Sequence, residues 1–273
     1  MDLQITAKRA LITGSNTGIG KGIATVLARE GVTVVVHGRN RQRTEATAEE
    51  IRAAGGVAHI AIGNLATDEG AAAVAKAALE QTGGIDILVN NVGGVEATGG
   101  GLPSWFDVLP EHWAASMQQN IIAAVRMIHA FVPAMRERQW GRVINVSSAG
   151  GTQPTVAVPD YCAAKAALIA MTLGLSKALA RSGVTVNTVS PGCTRTSMLE
   201  RSFDKIAAVE GWPDGFEARE PLFMDLGHFP VASPRLGRPE DVGALVAYLA
   251  SPLATFVTGA NYRIDGGQCQ SVN

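Results

Sequence analysis

A chain of 273 residues fits one large α/β domain, and 47% hydrophobic with 17% charged residues supplies ample core without the composition of a disordered chain. A net charge of −1 gives no general attraction to nucleic acid or to an anionic membrane, and no apolar run approaches the roughly 18 residues of a span. The opening residues do not read as a signal peptide, and the scattered cysteines (Cys162, Cys193, Cys269) and histidines lack metal-ligand spacing, so a cytoplasmic protein with reduced thiols and no metal site is expected.

Residues 9–13 form a short apolar strand, and Gly14-Ser15-Asn16-Thr17-Gly18-Ile19-Gly20 turns it into an amphipathic helix beginning near Ile19 and carrying Ile23, Val26 and Leu27. Glycines let a pyrophosphate approach the amides of a helix N-terminus, where the dipole favours anions. A glycine cluster alone is commonly a turn; the flanking strand and helix favour the nucleotide reading.

Residues 33–36 are a β-branched run, hence a buried parallel strand, and they lead into His37-Gly38-Arg39-Asn40-Arg41-Gln42-Arg43. A dinucleotide fold places an acid here for the ribose of NAD, or an Arg for the 2′-phosphate of NADP. Gly38 stands in place of the acid and Arg39 follows it, so NADP(H) is preferred, with NAD(H) kept as the alternative. Arg41 and Arg43 read as a solvated helix start.

A helical pattern over 40–54 precedes a strand at 58–62. Asn64 and Leu65 follow, either touching the adenine or merely opening a loop. Asp68 is placed to cap an alanine-rich helix to about Thr82. The fourth strand, 85–89, ends in Asn90-Asn91-Val92-Gly93, where the amides can bond neighbouring backbone and Gly93 leaves room for a cofactor; a purely structural Asn90 is as good a reading.

A Gly-rich loop over 93–109 carries Trp105 and Phe106, and Pro110 opens a long helix to about Arg138. Asn120 sits in that helix among apolar neighbours, either to satisfy a backbone group or to hold a water that links Lys165 to solvent. The fifth strand, 141–146, places Ser148 at its C-terminal end, where open α/β sheets bind ligands. Tyr161 and Lys165 lie one turn apart on one face of the next helix, which runs to Ser182. Phenol is a poor base with an ordinary pKa of about 10, and a neighbouring ammonium is expected to favour its ionised form. Ser, Tyr and Lys together suit alcohol–ketone interconversion. Tyr-x-x-x-Lys alone is equally a solvated helix face.

The sixth strand, 185–190, leads to Pro191-Gly192-Cys193-Thr194-Arg195-Thr196. From 197 to 234 the pattern becomes irregular and aromatic (Phe203, Trp212, Phe216, Phe223, Phe229), which reads as a substrate lid or else a subunit contact. A helix over 238–250 and a strand, Asn261–Ile264, precede Asp265-Gly266-Gly267. Strands and helices alternate without repeat or linker, so the fold class is α/β, a single doubly wound Rossmann domain with seven parallel strands and helices on both faces.

Taken together, these motifs resemble the classical short-chain dehydrogenase/reductase family, its 3-oxoacyl-(acyl carrier protein) reductase-like members in particular, from Arg9 to about Gly267. The resemblance implies a catalytic tetrad of Asn120, Ser148, Tyr161 and Lys165, with Tyr161 moving a proton, Lys165 lowering its pKa and holding the nicotinamide ribose, Ser148 orienting the carbonyl and Asn120 positioning a water. It implies cofactor contacts from the 14–20 loop, Arg39, Asn64, Leu65, Asn91, Gly93, Tyr161 and Lys165, and from Pro191, Gly192, Thr194 and Thr196. A homo-oligomer, tetramer or dimer, is expected through the helices of Asn120 and Tyr161. Val92, Asn64 and Thr17 depart from the family pattern, and the missing basic residue at Thr17 keeps NAD open.

The activity expected is reduction of a small carbonyl compound in a fairly apolar pocket made by Ser148, Val95, Trp105, Val156, Val158 and Trp212. An NAD-dependent alcohol dehydrogenase is the alternative. A catalytically silent dinucleotide-binding regulator is disfavoured because Tyr161 and Lys165 are both present.

Overall fold

The aliphatic runs form seven strands: β1 Arg9–Ile12, β2 Thr33–Gly38, β3 Ala58–Ile62, β4 Ile87–Asn90, β5 Gly141–Val146, β6 Val184–Pro191 and β7 Asn261–Ile264. In the computed structural model, which describes residues 1–95, 105–227 and 230–271, they pair in parallel in the order β3-β2-β1-β4-β5-β6-β7. The register pairs Leu11 with Val35 on one side and with Leu88 on the other, so alternate residues feed opposite faces of the sheet. Strand order reverses between β1 and β4. In an open α/β sheet that reversal opens a ligand crevice beyond the C-terminal strand ends.

One face receives α1 (Gly18–Arg29), α2 (Arg41–Ala53) and α9 (Pro239–Ala250), whose Ile23, Leu27, Ile51 and Val246 pack on Ile12, Val34, Val36 and Val89. The other face receives α3 (Asp68–Thr82) and α5 (Ala123–Glu137), whose Val74, Met127 and Phe131 cover Leu11, Val35, Leu88 and Val143. α6 (Pro159–Ala178) joins this second layer through Met171 and Leu175. No helix among the described residues is long and apolar enough to cross a membrane.

Three expectations change in detail. Thr67, rather than Asp68, caps α3, its hydroxyl accepting from the Gly70 amide at 3.1 Å. The long helix from Pro110 is α4 (Pro110–Met117), a wider π turn (Gln118–Ile122) and then α5. The segment after β6 is not irregular: it holds α7 (Ser197–Glu210) and α8 (Phe216–Asp225), built around their own apolar cluster. Thr196 caps α7, Gly211 ends it in a left-handed conformation, and Phe203 stacks on Phe216 at 5.0 Å. Arg219 bridges Asp204 at 2.6 Å, and Arg238 bridges Glu220 at 2.7 Å, tying the hairpin together and to α9. Aromatic residues read as lining a site are mostly the interior of this hairpin. Phe229 and most of the 93–109 loop lie outside the described residues.

Candidate active site

The crevice begins at Gly14, which takes a left-handed φ of 65° and lets the chain turn back toward β2. Ser15 donates its hydroxyl to the Ile12 carbonyl at 2.6 Å, and its amide to the His37 carbonyl at 2.9 Å. The His37 amide donates to Ser15 Oγ at 3.0 Å. Ser15 therefore shapes the loop from within and presents no free polar group. Asn91 does the same from β4: its Nδ2 donates to the carbonyls of Thr13 and Gly14 at 2.8 and 3.2 Å. A Cβ on Gly20 would come within 2.5 Å of both Asn91 Nδ2 and the Gly14 oxygen, which explains the glycine.

His37 is the residue that motif reasoning passed over. Its Nδ1 accepts from the Gly14 amide at 2.9 Å, and Nε2 lies 3.1 Å from the Gly63 carbonyl. An amide can only donate, so Nδ1 holds the lone pair and Nε2 carries the proton. Burial pushes the imidazole down to about 4, so it is neutral and joins the first loop to the end of β3. A His ending the strand just before Gly38-Arg39 was the only available signal.

Around this frame, Asn16 lays its side chain over Gly38, where any Cβ would collide with it. Thr17 is exposed and gives α1 no side-chain cap, so the amides of the first turn are left for another acceptor. Ile19 packs on the core, and Gly18 faces Thr196 across the crevice. Arg39, Arg41 and Arg43 are exposed, and no other described residue bonds or bridges their guanidinium groups. Asn64 Oδ1 accepts from the Ala66 amide at 3.2 Å. Leu65 buries its side chain with Val74 and Ile128 in the second core, so only its backbone is left to face the crevice.

The second half of the crevice holds Ser148, Tyr161 and Lys165. Lys165 is buried, donates from Nζ to the Val146 carbonyl at 2.9 Å, and lies 5.6 Å from the centre of the Tyr161 ring. Burial lowers it to about 8. Tyr161 also departs from expectation. Burial raises its phenol above the ordinary range, a hydrogen bond with Ser148 pulls it back in part, and Lys165 is not among the causes. The phenol is therefore protonated at neutral pH. Ser148 Oγ also accepts from the Gly150 amide at 3.1 Å.

Asn120, in the π turn, satisfies backbone groups with its side chain. Its Oδ1 accepts from the Gly94 amide at 3.0 Å, and its Nδ2 donates to the Ser116 and Gly94 carbonyls at 3.0 and 3.2 Å. A Cβ on Gly93 would lie 2.5 Å from Asn120 Oδ1 and 2.7 Å from Lys165 Nζ, so the strand end threads between the two side chains. Beyond β6, Pro191 is buried, Thr194 donates to the Gly192 carbonyl at 3.0 Å, and Thr196 caps α7. A hollow of about 360 Å³ lies to the side, lined by Cys193, Arg235, Arg238, Val242 and Asp265. The expected apolar pocket is only partly assembled. Trp105 packs its edge on Phe106 and tilts against Trp113, Val95 and Val156 are exposed, Val158 is half-buried, and Trp212 joins the cluster of α7 and α8.

A parallel doubly wound sheet with a Gly-rich turn after β1 and Ser, Tyr and Lys beyond β5 defines a dinucleotide-dependent oxidoreductase of the Rossmann class. Residues 8–207 match the model of the short chain dehydrogenase family, and the chain belongs to that family. It is 34% identical over 266 residues to the 3-oxoacyl-(acyl-carrier-protein) reductase of Vibrio cholerae, covering 97% of this chain and 98% of that one. L-Sorbose reductase from Gluconobacter frateurii, in complex with NADPH and L-sorbose, superposes with a TM-score of 0.89 at 29% identity over the whole of both chains. 7α-Hydroxysteroid dehydrogenase, in complex with NADH and 7-oxo glycochenodeoxycholic acid, gives 0.82 at 27% identity, covering 100% of this chain and 98% of that one. The chain is thus a nicotinamide-dependent oxidoreductase acting on the CH–OH group of a small molecule.

Proposed function

We propose that this enzyme is an NADP(H)-preferring ketoreductase, interconverting a ketone and a secondary alcohol. The observation that carries the reading is the grouping of Tyr161 with Ser148, to which it is hydrogen-bonded, and with Lys165, whose Nζ lies 5.6 Å from the phenol ring. A protonated phenol is the acid that ketone reduction requires. The residues at the crevice fit a dinucleotide: α1 starts without a side-chain cap, and Arg39 has no partner among the described residues. In this reading the 14–20 loop would hold the pyrophosphate, Arg39 the 2′-phosphate, and Lys165, Gly192, Thr194 and Thr196 the nicotinamide end. When bound, the cofactor supplies or takes the hydride.

The protein's own part is orientation and proton transfer. Ser148 and Tyr161 donate to the substrate oxygen, and Tyr161 passes its proton to that oxygen as the alcohol forms. The phenolate left behind is stabilised by the Ser148 hydroxyl and by Lys165. In the oxidative direction the same phenolate takes the proton back. Asn120 holds the strand end at Gly93 and Gly94 against Lys165. Val156, Val158 and Trp105 suit a substrate with an apolar flank. A homo-oligomer, dimer or tetramer, and a cytoplasmic location consistent with three free thiols complete the proposal.

Thr17, which brings no positive charge to the phosphate site, favours the second reading, an NAD-dependent alcohol dehydrogenase. The experiment is a panel of acetoacetyl-CoA, L-sorbose and 7-oxo glycochenodeoxycholic acid with NADPH or NADH. Turnover with NADPH exceeding that with NADH supports the proposal. Faster reaction with NADH supports the second reading, and dinucleotide binding without turnover of any ketone would return the silent regulator.

A further inference from the structure

The residues after β7 make contacts that the proposed chemistry does not use. Asp265 opens a reversal in which Gly266 and Gly267 both take left-handed φ values, 60° and 80°. Its carboxylate caps the reversal by accepting from the amides of Gly267 at 3.1 Å and Cys269 at 3.0 Å. From this turn the chain reaches three other segments at the C-terminal rim of the sheet. Gln268 Oε1 accepts from the Cys193 amide at 2.8 Å, beside Thr194. The Gly266 carbonyl accepts from Ala232 and Ser233 at 2.8 and 3.1 Å, where the lid segment returns to the body. The Gln270 amide donates to Gln153 Oε1 at 2.6 Å, and the Cys269 thiol lies 3.7 Å from the Ala149 carbonyl.

Ala149 is next to Ser148. The Ser148 hydroxyl already accepts from Gly150, so where this short loop sits decides where the Ser148 proton can point. Loops at a strand end have little of their own to hold them, and a misplacement of about 1 Å at a reacting group can cost about a hundredfold in rate. We infer that residues 265–271 are a strap that fixes the Ser148 loop against the Cys193 turn and the lid's return, and that Gln153 and Gln268 are positioning residues for the chemical step. This rests on the reading of Ser148 as the hydroxyl that orients the carbonyl.

The test uses Gln153→Leu, an exposed site whose replacement keeps volume but loses the acceptor, with Gln153→Glu to restore an acceptor oxygen. Both are assayed with NADPH and the best ketone of the panel above, beside deletion of residues after Gln268. The strap predicts that Gln153→Leu loses about tenfold in kcat while the NADPH dissociation constant changes by less than about twofold, and that Gln153→Glu recovers the rate. The deletion should lose at least as much as Gln153→Leu. Unchanged kcat in both Gln153→Leu and the deletion overturns the strap. So does a kcat loss accompanied by equal loss of NADPH affinity and of thermal stability, which would mark general loosening. Ser148→Ala separates the two claims. If it is inactive while the strap variants are normal, only the strap falls; if it turns over at the wild-type rate, the Ser148 reading falls and the strap with it.

Discussion

The two halves of the crevice hold their loops by different means. At the ends of β1, β2 and β4, Thr13, Ser15, His37 and Asn91 bond one another's main chain, and all belong to the strand ends they fasten. Arg39 is left outside that network. At the ends of β5 and β6 the loops carrying Ser148 and Thr194 are bonded to residues 265–271, with Gln270 and Gln153 117 residues apart in sequence. The nucleotide half is therefore complete once β1 to β4 have paired, whereas the chemical half is complete only when the last strand has docked. That division predicts that cofactor choice and turnover can be damaged separately.

The sharpest break should come from Tyr161→Phe, which removes the proposed proton donor and leaves the first half intact. Turnover should fall by about 10²–10⁴-fold with NADPH affinity nearly unchanged, read by steady-state kinetics beside fluorescence titration. Loss of both together would dissolve the distinction. His37 tests the nucleotide half through pH. Its folded value of about 4 lies below the ordinary 6.5, so the folded state resists a proton that the unfolded chain accepts. Its contribution is complete above about pH 6.5 and is lost as pH falls toward 4, by about 3 kcal/mol at the lower limit. Urea midpoints of wild type and His37→Asn across this range should diverge near neutrality and converge in acid; parallel curves would show that His37 is not the group responsible.

Arg39→Ala sharpens the comparison within the first half. A lost charge-assisted bond of about 1.5–3 kcal/mol should weaken NADPH by roughly ten- to a hundredfold and leave NADH almost untouched. Equal losses would remove Arg39 from the phosphate site. The smallest effect is expected in the second half, from Glu220→Ala. It frees Arg238 and the Leu236 amide and should loosen the α7–α8 hairpin by about 1–2 kcal/mol in urea unfolding. Hydrogen exchange should locate that loosening in α7 and α8, and exchange unchanged there would mean the pair does not hold the hairpin.

The same division accounts for what could be read from the sequence. The β-branched strands, the 14–20 turn, Arg39, and the Ser148, Tyr161 and Lys165 spacing are local patterns, so the seven parallel strands and the fold class were legible, while the strand order came only with the structure. His37 was missed because its role depends on Gly14 and Gly63, which only the sheet brings together. That Leu65 turns its side chain inward was not legible, because which face of the β3 exit turns inward is decided by α3 and α5 packing. The segment after β6 looked irregular because its helices carry aromatic residues for each other rather than an amphipathic stripe for the main core. Tyr161 was expected to be lowered by Lys165, yet spacing along a helix does not reveal how deeply the pair is buried, and desolvation dominates both groups.

The most direct measurement is the pair of dissociation constants for NADPH and NADH, at one salt concentration, for wild type and for Tyr161→Phe. The account predicts NADPH tighter by about tenfold or more in both proteins, because Arg39 and the 14–20 loop choose the cofactor without help from the reactive residues. Preference for NADH in wild type, or a preference that disappears with the Tyr161 hydroxyl, would contradict it.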